Sequence, residues 1–372
     1  MSGFLKSLGA VLPAFESRAL KYGYSNARVR AMKGLLLRGA FLDEMIRVGS
    51  IEAMVELLQR TGYKNDLAGA SVNYGGSALI ETAASRNFSR TVRKLLKITP
   101  KSDRKALEAL LIRWDLMNLK TLMHAKRIKK SYDEVRPYLF DIGGLGEDDF
   151  KRIMKADEGN LMKELRRTDI GQKMLAIGTG ELNRQMRDKF TSALRSLDTF
   201  LQMETIIDAY IYLFMDQVLS EVGGKDVSDV RKILRKEIDA KNIMIIERLK
   251  KHGTPKDRIL GSLIRGGTMS ESMITRFIDA KDMHGVIALA KPRFRELELK
   301  GEKASLSDLE IAFEKSVTAQ KVQAFHRAIL SVGVVIGFLL LKEEELNNLR
   351  KIAKGKEFNI PESEVRAMLV VV

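Results

Sequence analysis

Cysteine is absent from this 372-residue chain. That excludes disulfides and thiolate metal sites, and it leaves a reducing, cytosolic compartment as the default expectation. Aromatic residues make up only 6%, and no basic stretch is interleaved with them as a base-stacking surface would require. Prolines number six, and Pro255 and Pro361 stand where helices are expected to start. No apolar run reaches the ~20 residues that a bilayer span needs. Ala328–Leu341 (AILSVGVVIGFLLL) holds 14 residues, stops at Lys342 and reads as a buried core helix. The N-terminal MSGFLKSLGAVLPAFESRALKYG is interrupted too often for a signal peptide or a span, and it reads as a short amphipathic helix.

Chemical motifs are missing as well. Gly224-Lys225 and Gly355-Lys356 are followed by Asp226 and Glu357, where a phosphate-binding loop requires Ser or Thr. Gly178-Thr179-Gly180 lacks the third glycine and the preceding strand of a dinucleotide fingerprint. His124, His252, His284 and His326 show neither metal-ligand spacing nor an adjoining nucleophile and acid. Asp148-Asp149 reads as first-turn helix charge, and Tyr22 and Tyr24 as packing residues with a contact patch as the alternative. No catalytic, cofactor-binding or metal-ligating residue is assigned, and no cofactor is expected.

Charge is abundant. Lys and Arg total 64 against 48 Asp and Glu, a formal net charge of +16. Three partner classes follow: nucleic acid, an anionic membrane surface, or an acidic protein face. The two signs are interspersed, so most charges read as solvated helix faces. Apolar residues recur at three- and four-residue spacing, as in Ile51-Met54-Val55-Leu58, while alternating strand patterns are missing. Breaks fall at Asn73–Gly76, Thr99–Asp103 and Val222–Asp226. The chain is expected to be all-α with short connections.

One phrase is written three times. WDLMNLKTLMHAK carries Asp115, Asn118 and Lys126; IDAKNIMIIERLKK carries Asp239, Asn242 and Lys250; EEELNNLRKIAKGK carries Glu345, Asn348 and Lys356. On a helix these three positions fall within about 80° of one another, beside an apolar stripe. Asparagine is a poor helix former, so its recurrence predicts an amide bonded to a neighbouring element. Downstream, Gly143-Gly144 matches Gly266-Gly267, and Glu147, Met154 and Ala156 match Glu271, Ile278 and Ala280. Glu44, Ile51 and Ala53 keep the same offsets, and Asn26 is a degenerate fourth asparagine. The recurrences divide the chain into units 1–99, 100–224 and 225–372, the last including a C-terminal helix expected to close the array against the first unit.

These stretches, together with YSNARVRAMKGLLL and LIRGGTM, resemble the central-stalk C subunit of archaeal and bacterial A/V-type ATP synthases, the family that includes the d subunit of vacuolar ATPases. The resemblance covers about residues 24–368 in the family's order; residues 1–21 run ahead of the usual start. It implies three similar helical units arranged as a pseudo-threefold funnel. It implies a non-catalytic role: a rotor socket, peripheral on the cytoplasmic face of the membrane, joining the D and F axle subunits to the proteolipid ring without a transmembrane span. Nucleic acid is not among the partners so implied. Two other readings stay open at the level of residues: a basic helical-repeat scaffold binding nucleic acid or an anionic membrane surface, and an enzyme with a cleft between lobes.

Overall fold

The computed structural model describes residues 2–157, 160, 163, 164, 167–170, 172, 200–294, 297, 299 and 304–370. Gly178-Thr179-Gly180 lies outside them. Among the described residues every regular element is helical, as the periodicity predicts. In chain order the α-helices are α1 (Ser2–Lys33), α2 (Gly39–Arg47), α3 (Ile51–Gln59), α4 (Lys64–Ala70), α5 (Gly76–Ile98), α6 (Arg104–Arg127), α7 (Tyr132–Val135) and α8 (Glu147–Lys155). They continue with α9 (Phe200–Val222), α10 (Lys225–Lys251), α11 (Lys256–Gly261), α12 (Glu271–Asp279), α13 (Met283–Ala290), α14 (Leu306–Arg327), α15 (Val332–Glu357) and α16 (Glu362–Met368).

Local chemistry sets many of the boundaries. Ser50, Ser270 and Asp282 cap α3, α12 and α13 by accepting the N–H of the residue three further on. Ser131 and Glu134 form a reciprocal capping box at α7. Pro255 and Pro361 precede the first residues of α11 and α16, and acidic residues occupy both first turns.

Two compact units result. The first comprises Met1–Leu107, Val222–Val230 and Lys321–Val372; the second comprises Glu108–Glu221 and Arg231–Gln320. In the first, the long helix α15 packs against α5, α1, α2 and α3, and α16 packs against α2. The core of that unit is thus built from both ends of the sequence. The apolar run at 328–341 is buried as expected from Val332 onward, but it is not one helix. Ser331 stands as the N-cap residue of α15, Leu330 adopts a left-handed φ of 46°, and Ile329 is exposed. Two glycines let α15 approach its neighbours. A Cβ on Gly333 would lie 2.9 Å from the Asp226 side chain, and one on Gly337 would lie 2.7 Å from Phe325. None of the helices among the described residues is long and apolar enough to cross a membrane.

Candidate functional site

Asn118 in α6 is fully buried, and both ends of its amide go to a single residue. Its Nδ2 donates to the Phe140 carbonyl at 2.7 Å, and the Phe140 N–H donates to its Oδ1 at 2.8 Å. Asn242 in α10 holds Ile264 in the same manner, at 2.8 Å in each direction. Asn348 in α15 holds Val370, at 2.7 and 3.0 Å. The held residue stands 22 positions after the asparagine every time. An amide presents a donor and an acceptor in one plane, so it can satisfy a buried N–H and a buried C=O at one stroke. No other uncharged side chain of that size except glutamine can do so.

The acid three residues earlier serves the loop beyond. Asp115 accepts the N–H groups of Gly144 at 2.8 Å and Leu145 at 3.0 Å. Asp239 accepts those of Thr268 at 2.8 Å and Met269 at 3.2 Å, plus the Thr268 hydroxyl at 2.5 Å. A Cβ on Gly143 would overlap the Asp115 carboxylate, and one on Gly267 would overlap that of Asp239. The shared glycine is therefore Gly143 and Gly267. The expected pairing of Gly143-Gly144 with Gly266-Gly267 is one residue out of step, because Thr268 stands where Gly144 does.

The lysine at the far end of the phrase addresses the end of a short helix. Lys126 Nζ donates to the carbonyls of Met154, at 2.9 Å, and Ala156, at the end of α8. Lys250 donates to those of Phe277 at 3.2 Å and Ala280 at 2.7 Å, at the end of α12, and pairs with Glu247. Terminal carbonyls lack intrahelical partners and carry the negative pole of the helix, so an ammonium is well matched there.

In the third copy the acid and the lysine reach the first hundred residues instead. Glu345 accepts the Leu37 N–H at 2.6 Å. Lys356 donates to the carbonyls of Ile46, at 3.0 Å, and Val48, at the end of α2. Burial lowers the pKa of Lys356 below the ordinary lysine value, with Glu362 opposing. α2 is therefore the counterpart of α8 and α12, and each of the three is nine residues long. Its first residue is Gly39, so the expected correspondence through Glu44, Ile51 and Ala53 is out of register. Asn26 makes the same two-bond clamp at 3.0 Å each way, but with Ser331, 305 residues away.

Burial around α15 brings charges together in pairs that the sequence does not reveal, although Glu345 itself belongs to the repeated phrase. Lys342 pairs with Glu345, and both are almost wholly buried. Tyr63 donates its hydroxyl to Glu345 at 2.5 Å and lies 3.0 Å from the Lys342 ammonium. Lys321 pairs with Glu344 at 3.1 Å, and Arg350 with Glu81 at 2.6 Å. Burial, then the Glu345 carboxylate, pushes the Tyr63 pKa well above its ordinary value. A raised folded-state pKa contributes stability that is complete below the unfolded value near pH 10 and declines above it. The stability advantage of the native protein over Tyr63→Phe should therefore shrink between about pH 9 and about pH 11. Thermal melts of both proteins across that range check it; a constant gap would contradict it.

Every motif amide and carboxylate just described is engaged with main chain or with a neighbouring side chain, which suits holding rather than bond-making. No cluster of His, Asp or Glu among the described residues could hold a metal ion. Comparison with known proteins bears on the same residues. Residues 25–368 match the model of the ATP synthase (C/AC39) subunit family. The chain belongs to that family. Among its relatives is the C subunit of the A-type ATP synthase of Methanosarcina acetivorans, 27% identical over 364 residues, covering 94% of this chain and 93% of the relative. The C subunit of the V-type ATP synthase of Deinococcus radiodurans is 25% identical over 348 residues, covering 93% and 90%. The A-type C subunit of Methanocaldococcus jannaschii is 25% identical over 356 residues, covering 94% and 86%. The clamps Asn26, Asn118, Asn242 and Asn348 all fall within the matched part of this C/AC39 protein.

Proposed function

We propose that this C/AC39 protein is the non-catalytic rotor coupling of an A/V-type ATP synthase. In this reading it is a peripheral socket on the cytoplasmic face of the membrane, seating the axle of the D and F subunits and resting on the proteolipid ring. Three similar units, 1–99, 100–224 and 225–372, form a funnel about a pseudo-threefold axis. Asp115, Asn118 and Lys126, with Asp239, Asn242 and Lys250 and with Glu345, Asn348 and Lys356, are its structural rivets.

One observation carries the reading. Among the described residues, the acid and lysine of the last copy are engaged by the first hundred residues, which supports an array whose two ends meet. Open repeat arrays expose their ends and need caps; an array closed on itself suits a part that must transmit torque without unravelling. The first turns of α6, α10 and α15, the three motif helices, also belong to one compact unit, as convergence on an axis would require. Close packing then supplies stiffness. The net charge of +16 would favour placement beside an anionic leaflet, at about 1 kcal/mol per nearby basic residue before screening.

The test is affinity purification of the complex through a tag on this chain, in mild detergent. Co-elution with the axle proteins and the proteolipid is expected, and the isolated chain should not hydrolyse ATP. Recovery with stator proteins but without axle and ring would refute the role.

A further inference from the structure

The equivalence of α2 with α8 and α12 exposes a place where the repeats differ. Counting back from the helix starts, Gly143 and Gly267 correspond to Leu35. Leu35 is 76% exposed, and together with Leu36 it lines a groove of about 550 Å³ within the first compact unit. Met32 and Phe338 line the same groove. Its other wall is α5, from which Arg90, Arg93, Lys94 and Lys97 all contribute. These four lie at helical spacing i, i+3, i+4 and i+7, so they form a row on one face about 10 Å long. Arg90 pairs with Asp66 at 2.5 Å. Lys94 and Lys97 are exposed.

We propose that this groove docks an acidic amphipathic helix of a partner protein, whose carboxylates run along the α5 row and whose apolar face covers Leu35 and Leu36. Charge complementarity selects the occupant. A single phosphate or lipid headgroup is a point of charge, whereas this cationic row spans two helical turns and parallels an apolar floor. A helix with Glu at the same spacing beside leucines matches both features. Substituting leucine for the repeat's glycine builds the floor in this copy only, so the site gives the socket one distinguishable side. The inference rests on the coupling reading only in taking the partner to be another member of the complex.

The experiment uses the full chain and a synthetic helical peptide carrying Glu at i, i+3, i+4 and i+7 beside leucines, followed by fluorescence anisotropy. The double variant K94E/K97E should bind the peptide about tenfold or more weakly, since two attractions become repulsions. The variant L35S, which alters no charge at an exposed position, should weaken it about fivefold. K281E/K291E makes the same change of net charge at exposed positions outside the groove and should leave binding unchanged. Equal loss in K281E/K291E, or no loss in K94E/K97E, overturns the proposal. So does binding of phosphatidylglycerol vesicles that depends on Lys94 and Lys97 when the peptide does not bind. Co-purification with axle and ring is scored separately, so a failed groove leaves the rotor assignment standing, and the reverse.

Discussion

Replacing Asn118 by Ala should cost about 2–6 kcal/mol, because the buried Phe140 N–H and C=O both lose the amide that bonds them, at about 1–3 kcal/mol each. The site is fully enclosed, so water cannot readily take over either bond. Asn242→Ala and Asn348→Ala should cost amounts of the same order, since Ile264 and Val370 are held identically. Asn118→Gln should recover little: the extra methylene displaces the amide in a close-packed interior. Urea unfolding followed by circular dichroism measures all four. If Asn118→Ala falls within ~0.5 kcal/mol of the native protein, as an ordinary surface substitution would, the clamp is not what secures the segment after α6.

The second large effect is expected at the buried pair of Lys342 and Glu345. Removing one partner of a buried ion pair leaves an uncompensated charge, at about 3–5 kcal/mol. Glu345→Leu should be the more damaging, because the Leu37 N–H and the Tyr63 hydroxyl lose their acceptor as well. Lys342→Met leaves those two bonds intact. The double variant removes both charges together, so its cost should fall short of the sum of the single costs by about 1–3 kcal/mol. Additive costs would mean that the two side chains do not sense each other. Any hydrophobic isostere pair that exceeds the native stability would fit the general behaviour of buried ion pairs and would point to specificity, rather than strength, as the reason for the charges.

How much of this was readable in advance follows from which atoms make each contact. The acid, asparagine and lysine of the three phrases were legible because each uses its own side chain, and a repeated side chain leaves a repeated letter. The sites they grip are mostly main-chain N–H and C=O groups, which almost any residue supplies. Phe140, Ile264 and Val370 have only apolar character and the 22-residue spacing in common. For the same reason the expected match through Glu44, Ile51 and Ala53 falls out of register: Ile46 and Val48 reach Lys356 through carbonyls, and apolar side chains like theirs also stand nearby at Ile51 and Ala53. The expected glycine pairing is off by one because Gly266, with φ 96°, answers a turn requirement of its own beside Gly267. Tyr63 gave no signal at all. Its role depends on α15 lying against it, a contact between residues 282 apart in sequence.

Joining the two ends of the polypeptide in one core also fixes an order of events during synthesis. A ribosome releases residues 1–107 long before it has made α15, yet α1, α2, α3 and α5 bury their faces against that last long helix. Until then the nascent chain holds half a core open, a natural binding face for chaperones. A message cut short before codon 331 therefore yields a product that cannot finish its earliest part. Such a product would keep exposed the apolar faces that α15 covers in the finished protein, and its defect would lie in the part made first rather than in the part missing.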